Sequence, residues 1–366
     1  MGAIALAIST TIGAGVLALP MAFFESGPVG LVISSVIAFF LILSGTMVSD
    51  LINKEKKPIQ IPALISSVIG EKWKILIYLT LIFSMYGALS AYLIGFGRQL
   101  AVILPLNDVL ASLAFFIFGT YVVFRGTRIV EKIDKPLSII LVSFLVAISV
   151  ANGFNFSGLS FGSGGSIKGL GVIAGTMLFA LFGINILPEA DYLSKGRGTE
   201  VYAISTIVCV LLYIAFSFST IGVLGPQMTD LGTEGLAIYY GGFFEVVISL
   251  FTLFALLTSF IGIGLCTQHI YNYDFKLPRK VSTALTTGPA LLIYAASVVF
   301  GFGFLDVLAV AGELTLPILL MLISYAYYKA TRGGLKTSLP FPRVLAAFTG
   351  IFYFAIFSSF FVRLVA

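Results

Sequence analysis

Long apolar segments joined by short connections are the feature that most constrains how this chain can fold. An α-helix needs about 20 apolar residues to cross the hydrocarbon core of a bilayer. Eleven suitable segments lie between charged or Gly- and Pro-rich breaks, at residues 3–24, 29–52, 73–103, 108–124, 136–152, 170–188, 201–224, 240–268, 284–302, 305–328 and 344–365. Only 10% of the residues are charged, which excludes an ordinary soluble domain. The sequence therefore predicts an all-α integral membrane protein with eleven transmembrane helices in contact with membrane lipid.

The distribution of basic residues predicts how the helices are oriented. Lys and Arg accumulate in the cytoplasmic loops of membrane proteins. The connections that follow the even-numbered segments hold 18 of the 21 Lys and Arg residues, and Arg98, Lys168 and Arg363 lie on the other side. We therefore expect a cell-membrane protein with its N-terminus in the cytoplasm and its C-terminus outside. The same bias explains the net charge of +5, so no nucleic-acid partner is expected.

Two of the apolar segments contain a break with the same pattern. Residues Gly15 to Pro20 in the first segment and Gly183 to Pro188 in the sixth both read G-x-x-x-L-P. Irregular backbone at membrane depth is tolerated only where it is buried in protein or lines a cavity. Interrupted helices at matching places in two halves indicate the substrate site of a transporter. The pair predicts two inverted repeats of five helices, residues 1–152 and 153–328, with an additional helix 11 within residues 329–366.

The same two stretches resemble the signatures of a known family. Gly13-Ala-Gly-Val-Leu-Ala-Leu-Pro20 resembles the first-helix signature of the amino acid/auxin permease family, in the APC superfamily. Phe179-Ala-Leu-Phe-Gly-Ile-Asn-Ile-Leu-Pro-Glu189 resembles the sixth-helix signature of that family. The resemblance covers nearly the whole chain when the eleven segments are included. It implies secondary transport of amino acids by alternating access, driven by sodium or protons.

Backbone groups at the two breaks suit the two ends of an amino acid zwitterion. The positive end of a half-helix dipole favours a carboxylate, and the N–H groups placed there belong to Gly13, Ala14 and Gly15. The carbonyls that suit the ammonium group belong to Phe179, Ala180 and Leu181. The side chains that could shape the pocket are those of Tyr92, Phe179, Phe182 and Asn185. No charged residue stands in the predicted pocket, which favours a neutral amino acid, although the glycines alternatively serve only close helix packing.

The eighth segment contains a candidate sodium site. Ala255-Leu-Leu-Thr258-Ser259 resembles the A-x-x-T-S pattern of sodium-coupled members of this fold. The candidate oxygen ligands are those of Ser9, Ile12, Ala255, Thr258 and Ser259. Some proton-coupled relatives place a lysine amine there from the fifth helix, and the fifth segment lacks Lys, Arg and His between residues 137 and 151. Sodium is therefore the expected coupling ion, with no other cofactor, and proton coupling is the alternative.

One acidic residue falls within a predicted membrane span. Glu313 lies well inside the tenth segment, where an unpaired charge costs several kcal/mol. It is expected to face the central pathway, to be protonated, or to pair with a residue such as Arg98 of the third segment. We consider Glu313 and Arg98 as a candidate external gate or proton-sensitive element, with a static buried ion pair as the alternative.

Functions other than transport fit this composition less well. His269 is the single histidine, and no metal-ligand cluster or activated nucleophile is recognisable, so no enzymatic activity is expected. No segment carries the repeated polar face or filter of a channel. An amino acid sensor that binds without cycling stays open, because it requires the same pocket. Cys209 and Cys266 are expected to be buried apolar residues.

Overall fold

The computed structural model describes residues 2–54, 60–126, 130–162 and 167–365, in which the regular secondary structure is helical. In chain order the α-helices are α1 (Gly2–Thr11), α2 (Leu19–Ser26), α3 (Val29–Lys54), α4 (Ile61–Ile69), α5 (Lys74–Ile103), α6 (Asp108–Arg125), α7 (Val130–Phe154), α8 (Ile167–Ala180), α9 (Leu187–Leu193), α10 (Gly198–Leu224), α11 (Gly232–Tyr240), α12 (Gly242–His269), α13 (Arg279–Phe300), α14 (Phe304–Val310), α15 (Leu316–Arg332) and α16 (Pro342–Val365). Helices are therefore present in all the segments predicted from hydropathy.

Within these described ranges, nine helical stretches are long and apolar enough to cross a membrane. Two shorter apolar helices, Ala14–Ser26 and Ile139–Phe154, fall in the first and fifth predicted segments. The protein is thus an all-helical integral membrane protein. Some boundaries differ from the prediction, since α7 begins at Val130 and α13 at Arg279. Both helices continue past the apolar run into polar sequence, which a hydropathy pattern does not follow.

The first predicted break is present between α1 and α2. The α-helical hydrogen bonding of α1 ends where the Ile12 N–H donates to the Ile8 carbonyl at 2.9 Å, and Gly13 has an extended backbone. A 3₁₀ turn over Ala14–Ala18 leads into α2. Pro20 stands in the first turn of α2, where a helix has no internal partner for an N–H group and proline is well tolerated.

The second predicted break repeats this local structure. Helix α8 ends at Ala180, a 3₁₀ turn covers Ile184–Ile186, and α9 starts at Leu187 with Pro188 in its first turn. In both cases the glycine precedes a 3₁₀ turn, or lies in it, and the Leu-Pro pair begins the second half-helix. The G-x-x-x-L-P pattern therefore corresponds to one backbone arrangement, which is used twice.

The order of elements after each interrupted helix is also the same. A long helix is followed by a short one, which is α4 in residues 2–154 and α11 in residues 167–332. Three long helical stretches then complete each part, ending with α7 in the first and with α14 and α15 in the second. Helix α16 follows outside this pattern.

The tenth predicted helix is interrupted by a π-helical turn over Ala311–Thr315, between α14 and α15. This turn packs directly on α8: a Cβ atom at Gly312 would lie 1.9 Å from the Gly175 carbonyl oxygen. Small residues allow such close backbone approach between membrane helices. The Gly175 region of α8 is thereby held against the turn that contains Glu313.

Candidate substrate and ion site

A cavity of about 370 Å³ lies where the two breaks meet α5 and α12. Residues from both breaks and from the two long helices form its wall. The candidate site residues that line it are Ile12, Gly13, Gly15, Tyr92, Phe179, Ala180, Phe182, Asn185, Thr258 and Ser259. Residues far apart in the sequence are thus brought to one place. Of the remaining candidates, Ser9, Ala14 and Leu181 are neighbours of lining residues in the chain, and Ala255 precedes the lining residue Thr258 by three positions.

The cavity is open at one end and closed at the other. Thr10, Asn185 and Cys266 line it and are exposed, whereas Tyr92 and Ala180 are buried. The expectation that both cysteines are buried is therefore wrong for Cys266 and confirmed for Cys209. An apolar run around a cysteine does not distinguish a lipid-facing or core position from the wall of a cavity.

The N–H groups at the first break are only partly available to a ligand. The Gly13 N–H donates to the Thr11 carbonyl at 3.1 Å, and the Ala14 N–H donates to Ser259 Oγ at 3.0 Å. Among the described residues, the Gly15 N–H donates neither to a side chain nor to the Ile12 carbonyl three residues earlier. Gly15 is therefore the most accessible of the three predicted donors for a carboxylate.

The hydroxyl groups of α12 retain the capacity to bind a cation. Thr258 Oγ1 donates to the carbonyls of Phe254 and Ala255, at 3.0 and 3.2 Å. Ser259 Oγ accepts the Ala14 N–H, and Tyr92 also interacts with this hydroxyl. Each hydroxyl oxygen has two acceptor lone pairs, so neither is saturated. Neutral oxygen donors of this kind match the preference of a hard cation such as sodium.

The carbonyls at the second break all accept hydrogen bonds. The carbonyl of Phe179 accepts from the Phe182 N–H at 3.3 Å, and that of Leu181 accepts from the Gly183 N–H at 2.7 Å. The Ala180 carbonyl accepts from the Tyr213 hydroxyl at 3.0 Å. A carbonyl oxygen has a second lone pair, so an ammonium group would share these acceptors rather than find them free.

Tyr213 is a residue at the two breaks that the sequence analysis did not predict. It lies in α10, and its hydroxyl also contacts the Thr11 carbonyl at 3.2 Å. One side chain therefore reaches the ends of both α1 and α8. A tyrosine within an apolar span looks like ordinary packing in the sequence, and only the positions of the two carbonyls distinguish it.

The two breaks approach each other closely at Gly15, and a Cβ atom at Gly183 would lie 2.2 Å from Thr11 Oγ1. A Cβ atom there would lie 3.2 Å from Phe179 Cδ1 and 3.3 Å from Ala180 Cα. At Gly13 the nearest atom would be Ser259 Oγ at 3.6 Å, an ordinary contact. Close packing is therefore one physical reason for glycine at position 15.

The suggested ion pair between Glu313 and Arg98 is not formed. Glu313 is fully buried, its Oε2 lies 3.0 Å from Arg363 Nη2, and its Oε1 accepts a hydrogen bond from Ser359 at 2.7 Å. Arg98 instead pairs with Asp230, at 2.6 Å. Glu313 faces α16 and does not line the cavity. Long-range partners of this kind cannot be read from the sequence, since Arg363 is far from Glu313 along the chain.

A second, charged groove lies beside the Arg98–Asp230 pair, at the ends of α5, α6 and α12. It has a volume of about 640 Å³ and is lined by Arg98, Asn107, Asp108, Glu234 and Glu245, among others. Burial raises the pKa of Glu234 above its ordinary value of 4.5, Arg98 lowers this pKa, and Asp230 raises it.

We expect the variant Glu234→Gln to be more thermostable than the wild type at pH 8. The folded protein holds the Glu234 proton more tightly than the unfolded chain, so stability falls as the pH rises from 4.5 through the raised pKa. Glutamine removes this loss, and a gain in Tm of roughly 2 °C is expected. At pH 4 the two proteins should melt together, because the carboxyl group is then largely protonated in both states. An equal Tm difference at both pH values would contradict this account.

Comparison with known proteins identifies the family. The tryptophan/tyrosine permease family matches residues 1–362. The chain is 26% identical to tyrosine-specific transport system 1 of Haemophilus influenzae, over 86% of this chain and 84% of that protein. It is 24% identical to glutamine transporter 2 of Aliivibrio fischeri, over 83% of this chain and 82% of that protein.

A solved structure supports the fold. The crystal structure of MhsT in complex with L-phenylalanine covers 98% of each chain with a TM-score of 0.63 and 16% sequence identity. The two proteins therefore share a fold.

The matching family is named differently from the amino acid/auxin permease family that the motifs resemble. Both names denote transporters, and the relatives are transport proteins as well, so the chain is a permease and not an enzyme. The chain belongs to the tryptophan/tyrosine permease family.

Proposed function

We propose that this protein is a secondary active transporter of neutral L-amino acids, including aromatic ones, that works by alternating access with sodium as the coupling ion. The observation that carries the proposal is the cavity, in which two interrupted helix ends meet a pair of hydroxyl groups. The names of the family and its relatives support tyrosine, tryptophan and glutamine as substrates to test, and the ligand of MhsT adds phenylalanine.

The amino acid binds by its backbone groups at the two breaks. Its carboxylate accepts from the N–H of Gly15, with Gly13 and Ala14 beside it, at the positive end of the half-helix. Its ammonium group shares the carbonyls at the end of α8, and its side chain lies against Tyr92, Phe179, Phe182 and Asn185. Among the described residues that line the cavity, none is Asp, Glu, Lys or Arg. This composition supports a neutral side chain, since a charged one would be buried without a partner.

Sodium binds next to the first break. Its ligands are the carbonyls of Ser9, Ile12 and Ala255 with the hydroxyls of Thr258 and Ser259. The hydrogen bond from the Ala14 N–H to Ser259 Oγ links this site to the break that holds the carboxylate. A cation on Ser259 would therefore fix the backbone that the substrate needs, which provides a physical route for coupling. Among the described residues, the cavity wall also has no carboxylate or histidine that a proton carrier would use, which favours sodium over protons.

The chain is arranged as two inverted repeats of five helices, residues 1–152 and 153–328, followed by residues 329–366 with the eleventh helix. The repeated order of elements supports this division. The basic connections support a cytoplasmic N-terminus and an external C-terminus in the cell membrane. In this orientation Thr10, Asn185 and Cys266 lie in the cytoplasmic halves of their helices. The cavity then opens to the cytoplasm, as expected for an inward-facing state.

Uptake into proteoliposomes tests the proposal. Labelled tyrosine, tryptophan, phenylalanine and glutamine are supplied with an inward sodium gradient or with choline at matched pH, and a separate arm imposes a pH gradient without sodium. Lysine and glutamate serve as charged controls. We expect sodium-dependent uptake of at least one neutral amino acid and none of the charged ones. Uptake that is independent of sodium and follows the pH gradient would show that protons, and not sodium, are the coupling ion. Saturable binding without uptake would favour an amino acid sensor.

A further inference from the structure

A buried tyrosine joins the two interrupted helices. Tyr213 is fully buried in α10. Its hydroxyl oxygen lies 3.0 Å from the carbonyl oxygen of Ala180, the last residue of α8, and 3.2 Å from that of Thr11, the last residue of α1. In the described part of the chain, this is the one side chain whose hydrogen bonds reach both helix ends.

The two carbonyls need such a partner for a physical reason. The last carbonyls of a helix have no N–H partner within the helix, and they carry the negative end of its dipole. Here two such ends lie within reach of one hydroxyl group, in a buried region where unpaired polar groups are costly. The Gly13 N–H contributes a second donor to the Thr11 carbonyl, and the Tyr213 hydroxyl donates to the Ala180 carbonyl.

The position of Ala180 matters to both ends of a bound amino acid. Its carbonyl is the central one of the three that face the ammonium group. Its Cα atom lies 3.3 Å from where a Cβ of Gly15 would be, so it also packs on the residue whose N–H is open to the carboxylate. A shift of the Ala180 peptide would therefore change the spacing between the two groups that hold the zwitterion.

We infer that Tyr213 is a positioning residue for the amino acid: its hydroxyl fixes the carbonyl ends of α1 and α8 at the separation that the substrate requires. This inference rests on the proposed substrate site. Tyr213 does not line the cavity, so it acts through Ala180 and Thr11 and not by touching the substrate.

The variant Tyr213→Phe removes only the hydroxyl group, and Tyr353→Phe is its matched control. Tyr353 is also fully buried, and its hydroxyl is hydrogen-bonded to Ser44 of α3 at 3.0 Å, far from the breaks. Each change removes one buried hydroxyl group that is hydrogen-bonded between helices, and both are expected to lower Tm. The Kd of labelled tyrosine, or of the neutral amino acid that the wild type binds best, should rise about tenfold in Tyr213→Phe. It should stay within about twofold of the wild type in Tyr353→Phe.

An equal Kd in Tyr213→Phe and wild type, with a lowered Tm, would overturn the inference and leave Tyr213 as a packing residue. If Tyr213→Phe does not fold, p-methylphenylalanine and p-aminophenylalanine at position 213 replace it, because both fill the space of the hydroxyl. Only the amino group donates hydrogen bonds, so p-aminophenylalanine should restore the wild-type Kd and p-methylphenylalanine should not. Equal Kd values for these two variants would contradict the inference. Absence of binding in wild type and in Tyr353→Phe would instead count against the proposed function.

Discussion

Replacing Arg363 by alanine is expected to destabilise the protein by about 3–5 kcal/mol, the cost of breaking a buried ion pair from one side. Glu313 is fully buried, and the side chain of Arg363 is only 11% exposed. Without the guanidinium group, the hydroxyl of Ser359 is the one polar side-chain partner that the carboxylate keeps among the described residues. The loss should be visible as a large drop in Tm of the purified protein.

Two further variants separate the ion pair from a general effect of truncating arginine. Arg98→Ala breaks a pair whose side chains are 35% and 25% exposed, and partly exposed pairs contribute only about 0–1 kcal/mol. Glu313→Gln combined with Arg363→Met removes both charges and should recover most of the stability lost in Arg363→Ala. Equal Tm values for Arg363→Ala and Arg98→Ala would contradict the large contribution of the buried pair to stability.

The same pair also bears on mechanism. Glu313 faces α16 and not the cavity. This position favours a static buried ion pair over a gate or a proton-sensitive element. Glu313→Gln is then expected to leave the KM for substrate and the pH dependence of uptake unchanged. A shifted pH profile in this variant would return Glu313 to the transport cycle.

The second large effect is expected at Gly15. A methyl group there would press on the Phe179 ring and on the Ala180 backbone, at 3.2 and 3.3 Å. Overpacking of this kind costs about 1–3 kcal/mol, or roughly 5- to 150-fold in affinity. We expect Gly15→Ala to raise the Kd within this range and Gly15→Val to abolish measurable binding, because the larger side chain separates the two breaks.

Gly262 provides the matched control for Gly15. It lines the same cavity from α12, and a Cβ atom there would meet no atom within 4 Å. Gly262→Ala should therefore bind substrate within about twofold of the wild type. A similar loss of affinity in both alanine variants would mean that the close approach of the breaks at Gly15 is not what limits binding.

The features predicted correctly from the sequence are local ones. Apolar runs locate the helices, and the Gly and Leu-Pro residues at positions 15, 19–20, 183 and 187–188 locate both breaks, because backbone freedom and the missing proline N–H act within a few residues. The cavity follows in part, since two breaks in a compact helical bundle are expected to face each other. These inferences need no knowledge of which helices are neighbours.

The contacts that could not be predicted from the sequence all join segments that are far apart along the chain. The partner of Ala14 is Ser259, the partner of Ala180 is Tyr213, and Glu313 pairs with Arg363 instead of Arg98. Each depends on the relative rotation of packed helices, which a hydropathy pattern leaves open. Cys266 is exposed for the same reason: the face of α12 that lines the cavity is as apolar in sequence as the face that is buried.

The central claim is that substrate and sodium bind together where the first break meets α12, and equilibrium binding tests it most directly. Labelled tyrosine, or the best neutral amino acid from the uptake panel, is titrated onto purified wild type, Thr258→Ala, Ser259→Ala and the control Ser84→Ala, in sodium and in choline. Ser84 lines the same cavity from α5. We predict tight binding in sodium for wild type and Ser84→Ala, and binding at least about tenfold weaker in choline and in both α12 variants. Equal affinity in sodium and choline, unchanged in Ser259→Ala, would contradict the account.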